Sequence, residues 1–221
     1  MKQILDQNAF QVFPSQNGFI FAVKEEREGK AMVSYKLLDF ERLTLSPITR
    51  NVYLLEKFGQ HFERYADNPE EFLQLRTLFL PDHRLLTVDP MGNVRVYHGD
   101  GTVSWQGRLL YNDCPPTGFA LDENGLYVSF GEAGAIVRYH ARTLRPELRF
   151  GGGNGCLPCP EGLYCQHETV YFCAPKEQKI YQLNPREFTV EEYAAFDQPV
   201  HQYYKYHANE IVRLDSGVYK L

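Results

Sequence analysis

The chain has 221 residues and a mass of 25.6 kDa, enough to bury roughly 70% of its unfolded surface in one core without disulfide or metal staples. Hydrophobic residues at 43% and charged residues at 23% exclude disorder, collagen and a coiled coil as the main architecture. With 23 basic against 28 acidic residues and a net charge of −5, the chain lacks the basic footprint on which nucleic-acid binding rests, so no nucleic-acid partner is expected.

The N-terminal run MKQILDQNAFQVF lacks the apolar stretch and small-residue cleavage site of a secretory signal, and no run approaches the length of a membrane span. A cytoplasmic protein with no membrane partner is therefore expected. Five cysteines make an odd number, so reduced thiols fit better than a disulfide framework. The 15 Tyr and 15 Phe suit strands better than helices.

In chain order, Ile4 to Phe13 reads as a strand. Phe19 to Val23, a turn over Lys24 to Lys30 and Val33 to Leu38 form a hairpin, followed after Asp39 to Arg42 by Leu43 to Ile48. Leu55 to Leu75 changes character: Phe58, Phe62 and Tyr65 lie at helical spacing, and Asn68-Pro69-Glu70-Glu71 is a helix start, with an N-cap, proline at the first helical position and acids against the dipole. Strands resume with Leu85 to Val88, Val94 to Tyr97 and Val103 to Leu110. A third unit holds Phe119 to Leu121, Leu126 to Phe130, Ile136 to Tyr139 and Glu147 to Phe150. In the fourth, Pro160-Glu161-Gly162-Leu163 leads to Val170 to Cys173, Ile180 to Leu183 and Phe188 to Phe196. The last holds His201 to His207, Ile211 to Leu214 and Val218 to Leu221.

The hairpin turns centre near positions 27, 91, 132, 176 and 216, so three of the four intervals are about 40–44 residues, the period of propeller blades with four strands each. The longer first interval absorbs the insertion. The sequence thus predicts an all-β, five-bladed β-propeller of four-stranded antiparallel blades, a single domain over 1–221, with a helical insertion at 55–75 between the first two blades. Six blades need more chain, and a two-sheet sandwich does not account for the period. Because the chain ends directly after the third strand of its last unit, an unpaired edge would remain. Residues 1–13, through Ile4 to Phe13, are expected to pair beside Val218 to Leu221 and close the ring.

The run Pro116-Thr117-Gly118-Phe119-Ala120-Leu121-Asp122-Glu123-Asn124-Gly125-Leu126-Tyr127-Val128 resembles the repeat of propellers of the NHL, YncE and SMP-30/gluconolactonase type, and Pro160 to Tyr171 resembles it as a second, degraded copy. In the lactonases the variable residue of the Pro-x-Gly turn lies at the channel mouth, where acidic and Asn side chains hold a divalent metal. The resemblance puts Thr117 and Glu161 there, with Arg76 and Gln202 or Tyr203 as approximate equivalents. This set departs from the family pattern: one carboxylate, one hydroxyl and one guanidinium fall short of the roughly six oxygens a hard cation takes. Arg76, Thr117, Glu161 and Tyr203 are therefore candidates for ligand binding, without a lactonase metal.

Cys156-Leu157-Pro158-Cys159 is a CxxC in a loop between units, and Cys114 falls in a similar loop one period earlier. Thiolates converging from these loops would take zinc, although no second CxxC exists. The alternatives are a redox pair, which here lacks the helix N-terminus that activates such thiols, and inert loop cysteines. Cys165 and Cys173 read as small core residues. Gly151-Gly152-Gly153-Asn154-Gly155 precedes neither a Lys-Ser/Thr nor a helix, so it reads as a loop and not a phosphate cradle. His167-Glu168 reads as a turn.

His201-Gln202-Tyr203-Tyr204-Lys205-Tyr206-His207 falls on the predicted innermost strand of the last blade. Alternation puts Tyr203, Lys205 and His207 on one side and Tyr204 and Tyr206 on the other. Tyrosines there either bind a ligand with their amphipathic rings or fill the layers between blades. Two functions follow from different classes. One is a non-catalytic module that binds a small molecule or a protein at the channel face, without a cofactor. The other is a hydrolase or isomerase, lactonase-like, using Glu161 with His201 or Tyr203 as acid and base.

Overall fold

The computed structural model describes residues 1–6, 9–15, 18–39, 44–47, 76–80, 84–123, 125–153, 155–206 and 208–221. The chain opens with β1 (Lys2–Leu5). Blade 1 follows as β2 (Ala9–Ser15), β3 (Gly18–Arg27), β4 (Lys30–Asp39) and β5 (Thr44–Pro47), and blade 2 as β6 (Arg76–Phe79), β7 (Leu85–Val88), β8 (Asn93–Tyr97) and β9 (Val103–Arg108). Blade 3 is β10 (Gly118–Asp122), β11 (Gly125–Phe130), β12 (Ala135–Tyr139) and β13 (Pro146–Gly151). Blade 4 is β14 (Leu163–Gln166), β15 (Thr169–Ala174), β16 (Lys179–Asn184) and β17 (Thr189–Ala195), and blade 5 is β18 (Val200–Tyr206), β19 (Asn209–Leu214) and β20 (Gly217–Lys220). These strands form five separate four-stranded sheets, each an antiparallel meander. The five hairpins expected from the repeat are all present.

Ring closure follows the expected principle with a different boundary. β1 lies antiparallel to β20, pairing Lys2 with Lys220, Gln3 with Tyr219 and Leu5 with Val218. The rest of the segment expected to close the ring does something else. Ala9–Ser15 pairs with β3, Phe13 facing Ile20 and Ser15 facing Gly18, and so forms the innermost strand of blade 1. Ile4 to Phe13 is therefore two strands in two blades. A four-stranded first blade requires its own innermost strand, and on it Val12 is buried at 3% exposure. The insertion expected at 55–75 lies outside the described residues, among which the only helix is a single 3-10 turn over Pro175–Glu177.

Burial explains why the middle strands read as continuous apolar runs. In β11 every residue is buried, because a middle strand is covered by a blade on each side, while the outermost strand β9 is exposed throughout. Between blades 2 and 3, Leu86, Val88 and Val96 pack with Leu126, Val128 and Phe130. The opposite face of blade 3 sends Tyr127 and Ile136 against Leu163, Val170 and Phe172 of blade 4. Cys173 and Ile180 of blade 4 meet Val200, Val212 and Leu214 of blade 5, and Ile211 and Val218 of blade 5 meet Val12, Phe19 and Phe21 of blade 1. At roughly 1.5–3 kcal/mol for each large apolar side chain fully buried, these layers between blades supply the main stabilisation. Among the described residues no helix is long and apolar enough to cross a membrane.

Candidate functional site at the channel

The innermost strands surround a central channel. Its walls come from all five blades: Val12 on β2, Arg76 and Thr77 on β6, Thr117 to Phe119 at β10, Leu163 on β14, and His201, Gln202 and Tyr204 on β18. The cavity volume is about 40 Å³, room for a few waters and far below the roughly 300–1,000 Å³ of sites that engulf organic ligands.

The narrowness has a backbone cause. Blades 3, 4 and 5 approach so closely that a Cβ placed on Gly118 would lie 2.1 Å from the Glu161 carbonyl oxygen, and one on Gly162 would lie 2.1 Å from that of His201. Glycine after the variable residue of each Pro-x-Gly turn is thus a packing requirement. Thr117, expected as a ligand group, is committed to the same joint. Its hydroxyl donates to Pro160 O at 2.7 Å, lies 3.1 Å from Ser129 Oγ and accepts from the Gly131 N–H at 3.0 Å. Ser129, fully buried, donates to Glu161 O at 2.6 Å.

Tyr203 is not at the channel. It is 2% exposed and points into the layer between blades 4 and 5, its ring 5.1 Å from Tyr171 and 5.5 Å from Tyr193. Its hydroxyl donates to Tyr193 Oη at 3.2 Å, and Tyr193 donates to both oxygens of Glu210 at 2.9 Å. Burial, and next the Tyr193 hydrogen bond, push the Tyr203 pKa far up. Tyr204 takes the other face, as strand alternation required. It lines the channel and donates to Val12 O at 2.9 Å. Of the two acid–base pairs expected from sequence, Glu161 with His201 or Glu161 with Tyr203, the second therefore lacks a channel-facing tyrosine. His201 of blade 5 lines the channel, Glu161 directly precedes the lining residues Gly162 and Leu163 of blade 4 without lining the cavity itself, and Tyr203 is buried between the two blades.

His201 is held by a partner that sequence reasoning missed. Its Nε2 lies 2.6 Å from Asp215 Oδ1, at the turn between β19 and β20. Arg213, cross-strand from Gln202, was also missed, and donates from Nε to Gln202 Oε1 at 3.2 Å. Burial, and then the charge of Arg76, lower the Arg213 pKa from its ordinary value. The available signal was a charged residue inside the apolar run Ile211-Val212-Arg213-Leu214.

The described cysteines are free thiols. Cys114 Sγ donates to Asn112 O at 3.4 Å, and Cys156, exposed, donates to Gly153 O at 3.1 Å. Among the described residues no group of three or more His, Cys, Asp or Glu side chains is gathered as a metal would require, so Cys114, Cys156 and Cys159 do not form the sulfur set. Cys173 is fully buried, and burial raises the pKa of both Cys165 and Cys173, consistent with their core assignment.

Five four-stranded blades around a channel define the chain as a five-bladed β-propeller. Its backbone resembles the crystal structure of Myxococcus xanthus glutaminyl cyclase at 10% identity and a TM-score of 0.57, covering 97% of this chain and 90% of that one. It also resembles Saccharomyces cerevisiae Sqt1, at 10% identity and a TM-score of 0.53 over 91% and 68% of the two chains. The WD40 β-propeller domain of Doa1 has 8% identity and a TM-score of 0.53 over 95% and 61%. At these identities the likeness establishes the fold, which the three share while carrying unrelated names. The sequence matches no family model and no curated protein.

Proposed function

We propose that this propeller is a non-catalytic binding module whose ligand, a small molecule or a protein, engages the channel face. The observation that carries this reading is the size of the centre. A cavity of about 40 Å³ does not enclose an organic substrate, and catalysis gains most where a site excludes water around the reacting atoms. The burial of Tyr203 further supports the reading, because it removes one of the two alternative partners, His201 or Tyr203, expected to act with Glu161 at the mouth.

The alternative, a hydrolase or isomerase, is favoured by one contact. Asp215 fixes the His201 imidazole at 2.6 Å, an orientation that suits a general base. A panel of lactones and esters, run with metal analysis on the wild type and on Glu161→Gln and His201→Gln, decides between them. The binding-module reading expects no turnover in any of the three proteins. Turnover abolished by either substitution establishes the enzyme instead.

A further inference from the structure

A continuous array of tyrosine rings runs from the channel to the outermost strand of blade 4. Tyr204 lines the channel, and its ring lies 5.6 Å from that of Tyr164, which lies 6.0 Å from Tyr203. Tyr203 lies 5.5 Å from Tyr193 on β17 and 5.1 Å from Tyr171, and these last two lie 5.1 Å apart. Such centroid spacings, within roughly 4.5–7 Å, are those of rings in contact. Packing explains the rings, whereas the hydroxyls are sorted by what accepts their protons. Tyr204 donates to Val12 O and Tyr164 to Lys205 O, and a backbone carbonyl accepts a hydrogen bond but is too weak a base to take the proton. Tyr203 donates to Tyr193 Oη at 3.2 Å. Within this array, among the described residues, only Tyr193 donates to a carboxylate, both oxygens of Glu210 lying 2.9 Å from its hydroxyl. Lys205 Nζ is 3.0 Å from the same carboxylate. Burial opposes the charge on Glu210, but hydrogen bonds from Lys205, Tyr193 and Tyr203 outweigh it, so at neutral pH the group is ionised and able to accept a proton.

We propose that Tyr193 and Glu210 form a proton-coupled redox site, at which a one-electron oxidant of high potential converts Tyr193 to a phenoxyl radical while Glu210 takes its proton. One electron leaves the Tyr193 ring and reduces the oxidant. The phenolic O–H bond breaks and an O–H bond forms on Glu210, leaving a neutral radical beside a neutral carboxylic acid. Without a base the oxidised phenol is a strongly acidic radical cation, and a new charge is costly to form in a desolvated layer. A carboxylate within hydrogen-bond reach removes that cost, the geometric requirement that a general base also meets. Tyr193 is therefore the most easily oxidised ring of the array. Rings in contact exchange an electron readily, so the radical settles there. Tyr203 continues to donate its hydrogen bond to the phenoxyl oxygen, which stabilises the radical. The chain carries its own comparison: Tyr181 also donates to a carboxylate, Glu177, but its ring stacks on Phe172 at 5.3 Å, outside the array. The inference goes beyond the binding-module reading and does not depend on it.

The test is flash photolysis of the full chain with tris(bipyridine)ruthenium and persulfate, in which photogenerated ruthenium(III) takes the electron. Transient absorption and electron paramagnetic resonance of frozen samples follow the radical. The wild type is expected to give one dominant tyrosyl spectrum, whose formation slows in D2O because electron and proton leave together. Tyr193→Phe keeps the ring and removes the hydroxyl, and is expected to cut the yield of the long-lived radical fivefold or more, while Tyr181→Phe leaves it unchanged. Glu210→Gln keeps a hydrogen-bond acceptor that cannot take the proton, and is expected to lower the yield similarly. Circular dichroism controls for folding, and Tyr193→Phe decides alone if Glu210→Gln does not fold. An unchanged yield in folded Tyr193→Phe, or in folded Glu210→Gln, overturns the site. Either result leaves the non-catalytic reading in place, since only turnover in the substrate panel removes it.

Discussion

The carbonyl oxygen of Glu161 sits where a side chain on Gly118 would have to begin, 2.1 Å from the position of its Cβ. The same relation recurs one blade further on, between His201 and Gly162. Neither neighbour is a flexible side chain that could swing away, so relief requires the blades themselves to separate. Gly118→Ala is expected to destabilise the fold by about 3 kcal/mol or more, the upper range for overpacking, with Gly162→Ala similar. Denaturant unfolding measures this. A cost below about 1 kcal/mol for both would mean that the blades are not locked together at these carbonyls.

Thr117 tests whether the Pro-x-Gly position is a joint or a ligand group. Thr117→Val keeps the shape and removes the hydroxyl, leaving Pro160 O and the Gly131 N–H without their partner. The expected loss is about 1–3 kcal/mol of stability, measured by denaturant unfolding. Unchanged stability in Thr117→Val would reverse this assignment.

Stability is expected to fall steeply on the alkaline side. Burial raises the Tyr139 and Tyr164 pKa values to about 12, and burial raises Tyr203 and Tyr204 further still. A raised folded pKa gives stability that is complete below the unfolded value of 10.0 and is lost as pH rises above it towards the folded value. Spectrophotometric titration is expected to show a set of tyrosines that ionise only with unfolding. Ionisation of all fifteen tyrosines near pH 10 in a folded protein would contradict the packing between blades.

The acidic limb depends on Glu210. Burial alone would raise its pKa, but hydrogen bonds from Lys205, Tyr193 and Tyr203 outweigh that and hold it below the ordinary 4.5. A lowered folded pKa gives stability that is present above 4.5 and lost as pH falls through the folded value. Glu210→Gln is expected to flatten the pH dependence of Tm below about pH 4.5, and an unchanged acid limb would remove Glu210 from that role.

The turn between β14 and β15 holds His167 and Glu168 at φ values of 46° and 65°, a left-handed conformation costing about 1–2 kcal/mol for an ordinary residue. Glu168 pairs with Arg186, which is 74% exposed, and such surface pairs contribute roughly 0–1 kcal/mol. The backbone strain therefore exceeds what the ion pair returns. His167→Asn with Glu168→Gly, the residue pair that two-residue hairpin turns favour, is expected to stabilise the protein by about 1 kcal/mol, read as a rise in Tm. A fall in Tm would show that the Arg186 contact outweighs the strain.

The hairpins were legible because they are local. Alternating apolar residues and turn-forming pairs set strand register within each blade, and the fivefold recurrence of that pattern set the architecture. Alternation also placed Tyr203 and Tyr204 on opposite faces. What the sequence did not settle was which neighbour each face meets. Ile4 to Phe13 reads as one strand although Asp6-Gln7-Asn8 interrupts it with turn-favouring residues, and the pairing of Lys2 with Lys220 and of Phe13 with Ile20 divides it between two blades. Tyr203 was expected at the channel and lies in a layer between blades, because the rotation of a blade about its strands is fixed by packing against its neighbours. Arg76 and Gln202 are 126 residues apart (202 less 76), on blades that are not neighbours in sequence order. Ring closure alone brings Arg76 of blade 2 and Gln202 of blade 5 to the lining of one cavity, and no local pattern records that approach.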